Sequence, residues 1–152
     1  MILNNRHTGL VVRDIEQSIR FYQSMGLRVW RRELETCSFI DSVVGIHGVK
    51  IEWAKMKCPC GSILELLQYH SHPDVHPVVN AASNRRGCSH VAFTVDDIVQ
   101  TCKEVVRLGG SIVNQPVVAS NGLVKVVYCH DPDGILLELV EEIGSPSASE
   151  RF

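Results

Sequence analysis

Histidine and glutamate recur at matched places in this 152-residue chain. His7-Thr-Gly-Leu-Val-Val-Arg-Asp-Ile15 and His90-Val-Ala-Phe-Thr-Val-Asp-Asp-Ile98 share the histidine, a valine five residues on and an Asp-Ile pair after it. Gly61-Ser-Ile-Leu-Glu-Leu66 and Gly134-Ile-Leu-Leu-Glu-Leu139 close the two copies alike. Each copy therefore supplies one imidazole and one carboxylate, and His7, Glu65, His90 and Glu138 together have the make-up of a four-ligand metal centre. Such a set suits Ni, Co, Zn, Mn or Fe with one or two positions open for water or substrate, whereas calcium prefers more oxygens.

The surroundings of the glutamates support the same chemistry. Both stand in apolar runs, where an unpaired carboxylate is costly to bury, and a divalent cation compensates them. Strand alternation places His90 with Ala92 and Thr94, opposite Val91, Phe93 and Val95. The same parity groups His7 with Gly9 and Val11, Glu65 with Ile63 and Leu67, and Glu138 with Leu136 and Val140, so all four are expected on the concave side of a sheet. Four unrelated polar residues on wetted strands would not account for the paired repetition.

The elements that must hold these groups also repeat. Residues 6–12 form a strand, Asp14 caps a helix marked by Ile15, Ile19, Phe21, Tyr22 and Met25, and Gly26 ends it. The chain then runs through Leu27 to Leu34, an irregular stretch over 36–48, and strands over 49–55 and 62–69. In the second copy, strand 88–95 and helix 98–108 precede Gly109-Gly110, and strands follow over 111–118, 123–129 and 135–141. The histidine-to-glutamate distance is 58 residues in the first copy and 48 in the second, which places an insertion of ten near 36–48.

The organisation read from this is one domain over 1–152: module 1 (6–69), a linker (70–87) with a short helix near Val78 to Ser83, module 2 (88–142), and a mobile tail (143–152). With 15 basic and 17 acidic residues, the net charge of -2 gives no broad reason to expect nucleic acid or an anionic membrane as partner, and a small molecule is the expected ligand. No run approaches the ~20 apolar residues of a membrane span, the N-terminus lacks a signal-peptide pattern, and a cytoplasmic location with six free thiols is expected.

At His7, Glu65, His90 and Glu138, with the Asp131-Pro-Asp-Gly134 turn before the last strand, residues 6–142 resemble the vicinal oxygen chelate superfamily, the glyoxalase, bleomycin-resistance and extradiol-dioxygenase group. The resemblance implies an α+β fold of two tandem βαβββ modules forming a U-shaped half-barrel sheet, one divalent metal ion, and a substrate that binds through adjacent oxygens. The ligand pattern is similar to lactoylglutathione lyase; methylmalonyl-CoA epimerase usually has glutamine at the place of Glu65. The activity so implied is that of a metal-dependent isomerase or lyase, moving a proton through a metal-chelated enediolate on a small 2-oxo, hemithioacetal or thioester substrate. Glu138 or Glu65 would be the catalytic base, with Glu138 marginally favoured and a metal-bound hydroxide as the competing base. The alternatives are an Fe(II)-dependent ring-cleaving dioxygenase and a non-catalytic small-molecule binding (resistance) protein. A homodimer is expected, with the four ligands drawn from one chain or two from each. Gln23-Ser-Met-Gly-Leu27 and Cys58-Pro-Cys60 depart from the family pattern and weigh against a dedicated glutathione enzyme.

Other features are weaker. Cys58-Pro-Cys60 is a poor match to structural zinc spacing. Arg31, Arg32, Arg85 and Arg86 are candidate holders of a substrate anion, Trp30, Phe39, Trp53 and Tyr69 of an apolar wall, and His130 is a candidate for the mouth of the site.

Overall fold

Asp14 ends the first strand and starts the first helix, because its carboxylate accepts the backbone N–H groups of Glu16 and Gln17 that the helix leaves open. In the computed structural model, which describes residues 1–76 and 82–144, the chain forms two compact units, Met1–Pro77 and Val78–Phe152. The short helix expected near Val78 and the tail beyond Gly144 lie outside the described residues.

The first unit runs β1 (Thr8–Val11), α1 (Ile15–Ser24), β2 (Arg28–Glu35), α2 (Ser38–Val44), β3 (Ile51–Lys57) and β4 (Ile63–Tyr69). Its sheet has the order β1-β4-β3-β2, with β1 parallel to β4 and the other pairs antiparallel. Helix α1 packs on this sheet and buries Ile15, Ile19, Phe21 and Tyr22 of the stripe expected from the sequence, while Met25 is half-buried at its C-cap. Leu64 and Leu66 of β4 are buried with them.

The second unit runs β5 (Val91–Val95), α3 (Ile98–Arg107), β6 (Ser111–Ile112), β7 (Val117–Val118), β8 (Val124–His130) and β9 (Leu136–Glu142). Its sheet repeats the topology as β5-β9-β8-β6, with β7 also paired to β8 and β5 parallel to β9. Asp97 caps α3 as Asp14 caps α1, here through the N–H of Gln100. Val127, Cys129, Leu137 and Leu139 are buried on the face of β8 and β9 toward α3. The two units share α+β character and sheet order, as the duplication requires.

Two details differ from the sequence reading. The irregular stretch over 36–48 contains helix α2, which buries Ile40 against Val49 and Ile51 and ends at Gly45 with φ 71°. Its valines favour strands and only one of its residues is buried, so neither propensity nor period marks it. The single strand expected over 111–118 is two short pieces separated by 113–116. Pro116 has no N–H to donate to the ladder, and the chain resumes pairing with β8 only at Val117.

Candidate metal centre

Each module brings its histidine to its glutamate. Parallel pairing aligns Gly9 with Glu65 and Ala92 with Glu138, and each of these small residues lies two positions beyond a histidine. His7 and His90, just ahead of their strands, therefore lie on the glutamate face with only a hydrogen or a methyl group between. His7 Nε2 is 2.9 Å from Glu65 Oε2, and His90 Nε2 is 3.1 Å from Glu138 Oε2. Gly9, Ala92 and Thr94 are exposed, so this face is open to solvent in each unit, while the glutamates are partly to largely buried.

The supports of the two pairs differ. Glu65 Oε1 also meets Lys55 Nζ at 3.3 Å, and Lys55 lies over the Trp53 ring, 4.4 Å from its centroid. In the second unit the residue directly across from the glutamate is Tyr128, whose ring stands edge-on to His90 with centroids 5.2 Å apart. Ser89 Oγ lies 2.7 Å from His90 Nδ1, whereas His7 Nδ1 is buried and has no hydrogen-bond partner among the described residues. Sequence reasoning missed Lys55 and Tyr128. The signal was available: both stand ten positions before their glutamate.

Among the described residues no three His, Cys, Asp or Glu side chains form a group that could hold a metal ion. The expected quartet is present as two pairs, one in each unit. Each pair fits a divalent ion chemically: both offer Nε2 beside a carboxylate oxygen, and adjacent ligands at about 2.1 Å from one divalent ion and at right angles stand about 3 Å apart, as the members of each pair do.

The weaker candidates resolve differently. Arg32 is held by Glu16 and Glu52, and Arg31 pairs with Glu33, so both are committed to surface ion pairs. Trp53 is buried and donates through Nε1 to Glu35, whereas Trp30 and Phe39 are exposed. Beyond β4, His70 pairs with Glu52 and His76 with Asp74. All six cysteines are free thiols. No helix among the described residues is long and apolar enough to cross a membrane.

Comparison with known proteins shows the family and the fold. The profile of the Glyoxalase/Bleomycin resistance protein/Dioxygenase superfamily matches residues 6–139. The chain is 31% identical to a lactoylglutathione lyase of Pseudomonas aeruginosa, across 89% of this chain and 80% of that one. It is 27% identical to the lactoylglutathione lyase of Haemophilus influenzae, across 93% and 94% of the two chains. A glyoxalase family protein from Bacillus cereus has a crystal structure that superposes with a TM-score of 0.87 at 28% identity, covering 95% of this chain and 97% of that one.

Proposed function

The chain belongs to the Glyoxalase/Bleomycin resistance protein/Dioxygenase superfamily, and from that membership we propose that it is a divalent-metal-dependent isomerase or lyase. Its substrate would be a small 2-oxo compound, hemithioacetal or thioester. The observation that carries the reading is the repeated pairing of imidazole Nε2 with a carboxylate oxygen, 2.9 Å in one module and 3.1 Å in the other. His7, Glu65, His90 and Glu138 would hold the ion. When bound, it would polarise two adjacent substrate oxygens and so make the neighbouring carbon more acidic.

The chain's own groups divide the remaining work. Glu65 is tied at both oxygens, by His7 and Lys55, and is the anchoring carboxylate. Glu138 is paired with His90 alone among the described residues and is the carboxylate free to turn toward substrate. It takes the proton as a C–H bond breaks, the electron pair stays with the substrate, and the same carboxyl returns the proton to the adjacent carbon. Tyr128 and Ser89 keep the His90 ring in place during this exchange.

Metal content decides the reading. Untagged protein purified without added metal or chelator is analysed by mass spectrometry beside the His7→Ala/His90→Ala double variant. We expect near one Ni, Co, Zn, Mn or Fe per chain, lost in the variant with the circular dichroism spectrum unchanged. Protein that stays metal-free and cannot be reconstituted overturns it.

A further inference from the structure

We propose that the second unit carries a binding pocket for an uncharged, carbonyl-bearing part of the substrate, with His130 Nε2 as its hydrogen-bond donor. A cavity of about 420 Å³ is lined by Ser111, Ile112, Val113, Tyr128, His130 and Leu136 among others. That volume lies in the range of sites that enclose small molecules, about 300–1,000 Å³. Its floor is the face of the sheet that carries Glu138. Ser111 and Leu136 are the register partners of His130 on its two sides, and Tyr128, two residues before it, is the partner of Glu138. The pocket therefore continues from the His90–Glu138 pair, with Tyr128 as the wall common to both.

His130 supplies the chemical character. Its side chain is only 6% exposed, yet Nε2 is buried with no partner among the described residues, a costly state unless a ligand or water completes it. Ser111 Oγ lies 3.5 Å from Nδ1. With the serine hydroxyl donating to Nδ1, the ring carries its hydrogen on Nε2, which then donates to an acceptor. No Lys, Arg, Asp or Glu is among the described residues lining the cavity. A carboxylate or phosphate would lose its hydration there without a compensating charge, whereas a ketone or amide oxygen needs only the one donor.

The inference deepens the proposed function and rests on it for the role of Glu138, but the pocket is tested without the metal. Binding of 2-oxobutanamide to metal-free protein is followed by the His130 side-chain nitrogen resonances, with 2-oxobutanoate as the charged comparison. We expect saturable millimolar binding of the amide that shifts Nε2, weaker binding of the carboxylate, and about tenfold loss of amide affinity in His130→Gln. Val113→Trp, at a position 46% exposed and so outside the core, blocks the cavity without disturbing folding and should show the same loss. No Nε2 shift at millimolar amide, equal or tighter binding of the carboxylate, or unchanged affinity in Val113→Trp overturns the pocket. Amide binding by a protein that takes up no metal leaves the pocket standing and sinks the isomerase reading.

Discussion

Lys55 Nζ lies 3.3 Å from Glu65 Oε1, at the register position that Tyr128 occupies opposite Glu138. The two copies have thus diverged at the residue facing the glutamate, one placing a cation there and the other an aromatic ring. The first carboxylate has a basic partner at each oxygen, whereas the second is paired with His90 alone among the described residues. This asymmetry supports the different duties proposed for them.

Lys55 competes with any cation for Glu65. Replacing it in Lys55→Met removes that charge while keeping an apolar stem over Trp53. Metal affinity, measured by competition with a chromophoric chelator, should rise by about three- to tenfold at low ionic strength and by less in high salt. Unchanged affinity would show that Lys55 swings clear of the carboxylate at no cost.

Glu138→Gln keeps the shape of the side chain but cannot take a proton. Solvent-deuterium exchange into a 2-oxo or thioester substrate should fall by about a hundred- to ten-thousand-fold, while Glu65→Gln lowers metal affinity and retains measurable exchange in metal-saturated protein. Undiminished exchange in Glu138→Gln would remove its role as base.

Gly110 passes so close to β8 that an added Cβ would overlap the His130 carbonyl oxygen and the Val105 side chain. The carbonyl belongs to the backbone and cannot give way. Gly110→Ala should cost about 1–3 kcal/mol in urea unfolding. At Gly9 the new methyl meets only the Leu67 side-chain end at 3.3 Å, and Gly9→Ala should cost less. Equal losses would place the constraint elsewhere.

The thiols should react in a fixed order. A hydrogen bond with Ser62 holds the exposed Cys60 thiol below the ordinary thiol range, whereas burial pushes Cys129 up to about 12. Near neutral pH, iodoacetamide should label Cys60 first and Cys129 only when the protein unfolds. Ser62→Ala should slow labelling of Cys60, and mass mapping of the alkylated peptides reads both results.

Asp41 accepts the backbone N–H groups of Gly48 and Val49, and these hold its carboxyl below the ordinary range. A depressed folded-state value means the contribution is fully present above the unfolded-state value and is lost as pH falls through the folded one. Acid unfolding of Asp41→Asn should therefore show a shallower loss of stability than the parent through that window. An identical acid profile would show that the loop does not depend on this carboxylate.

The repeat made much of this architecture legible. His7 and His90, Asp14 and Asp97, Gly26 and Gly109 keep one spacing, because each copy needs the same strand parity, helix cap and helix exit. Parity also put each histidine and each glutamate on one face of its strand, since alternation along a strand is a local property; that His7 meets Glu65 and His90 meets Glu138 follows from the pairing of β1 with β4 and of β5 with β9. Helix α2 was not legible, because a single buried residue, Ile40, leaves no period to read. The break between β6 and β7 was signalled by Pro116, but its extent depends on where β8 accepts the chain again. Lys55 beside Glu65, Tyr128 beside Glu138, and the unpartnered nitrogen of His130 were decided only by tertiary structure. Register between strands, which sets who faces whom, arises from packing across the sheet rather than from any run of neighbouring residues.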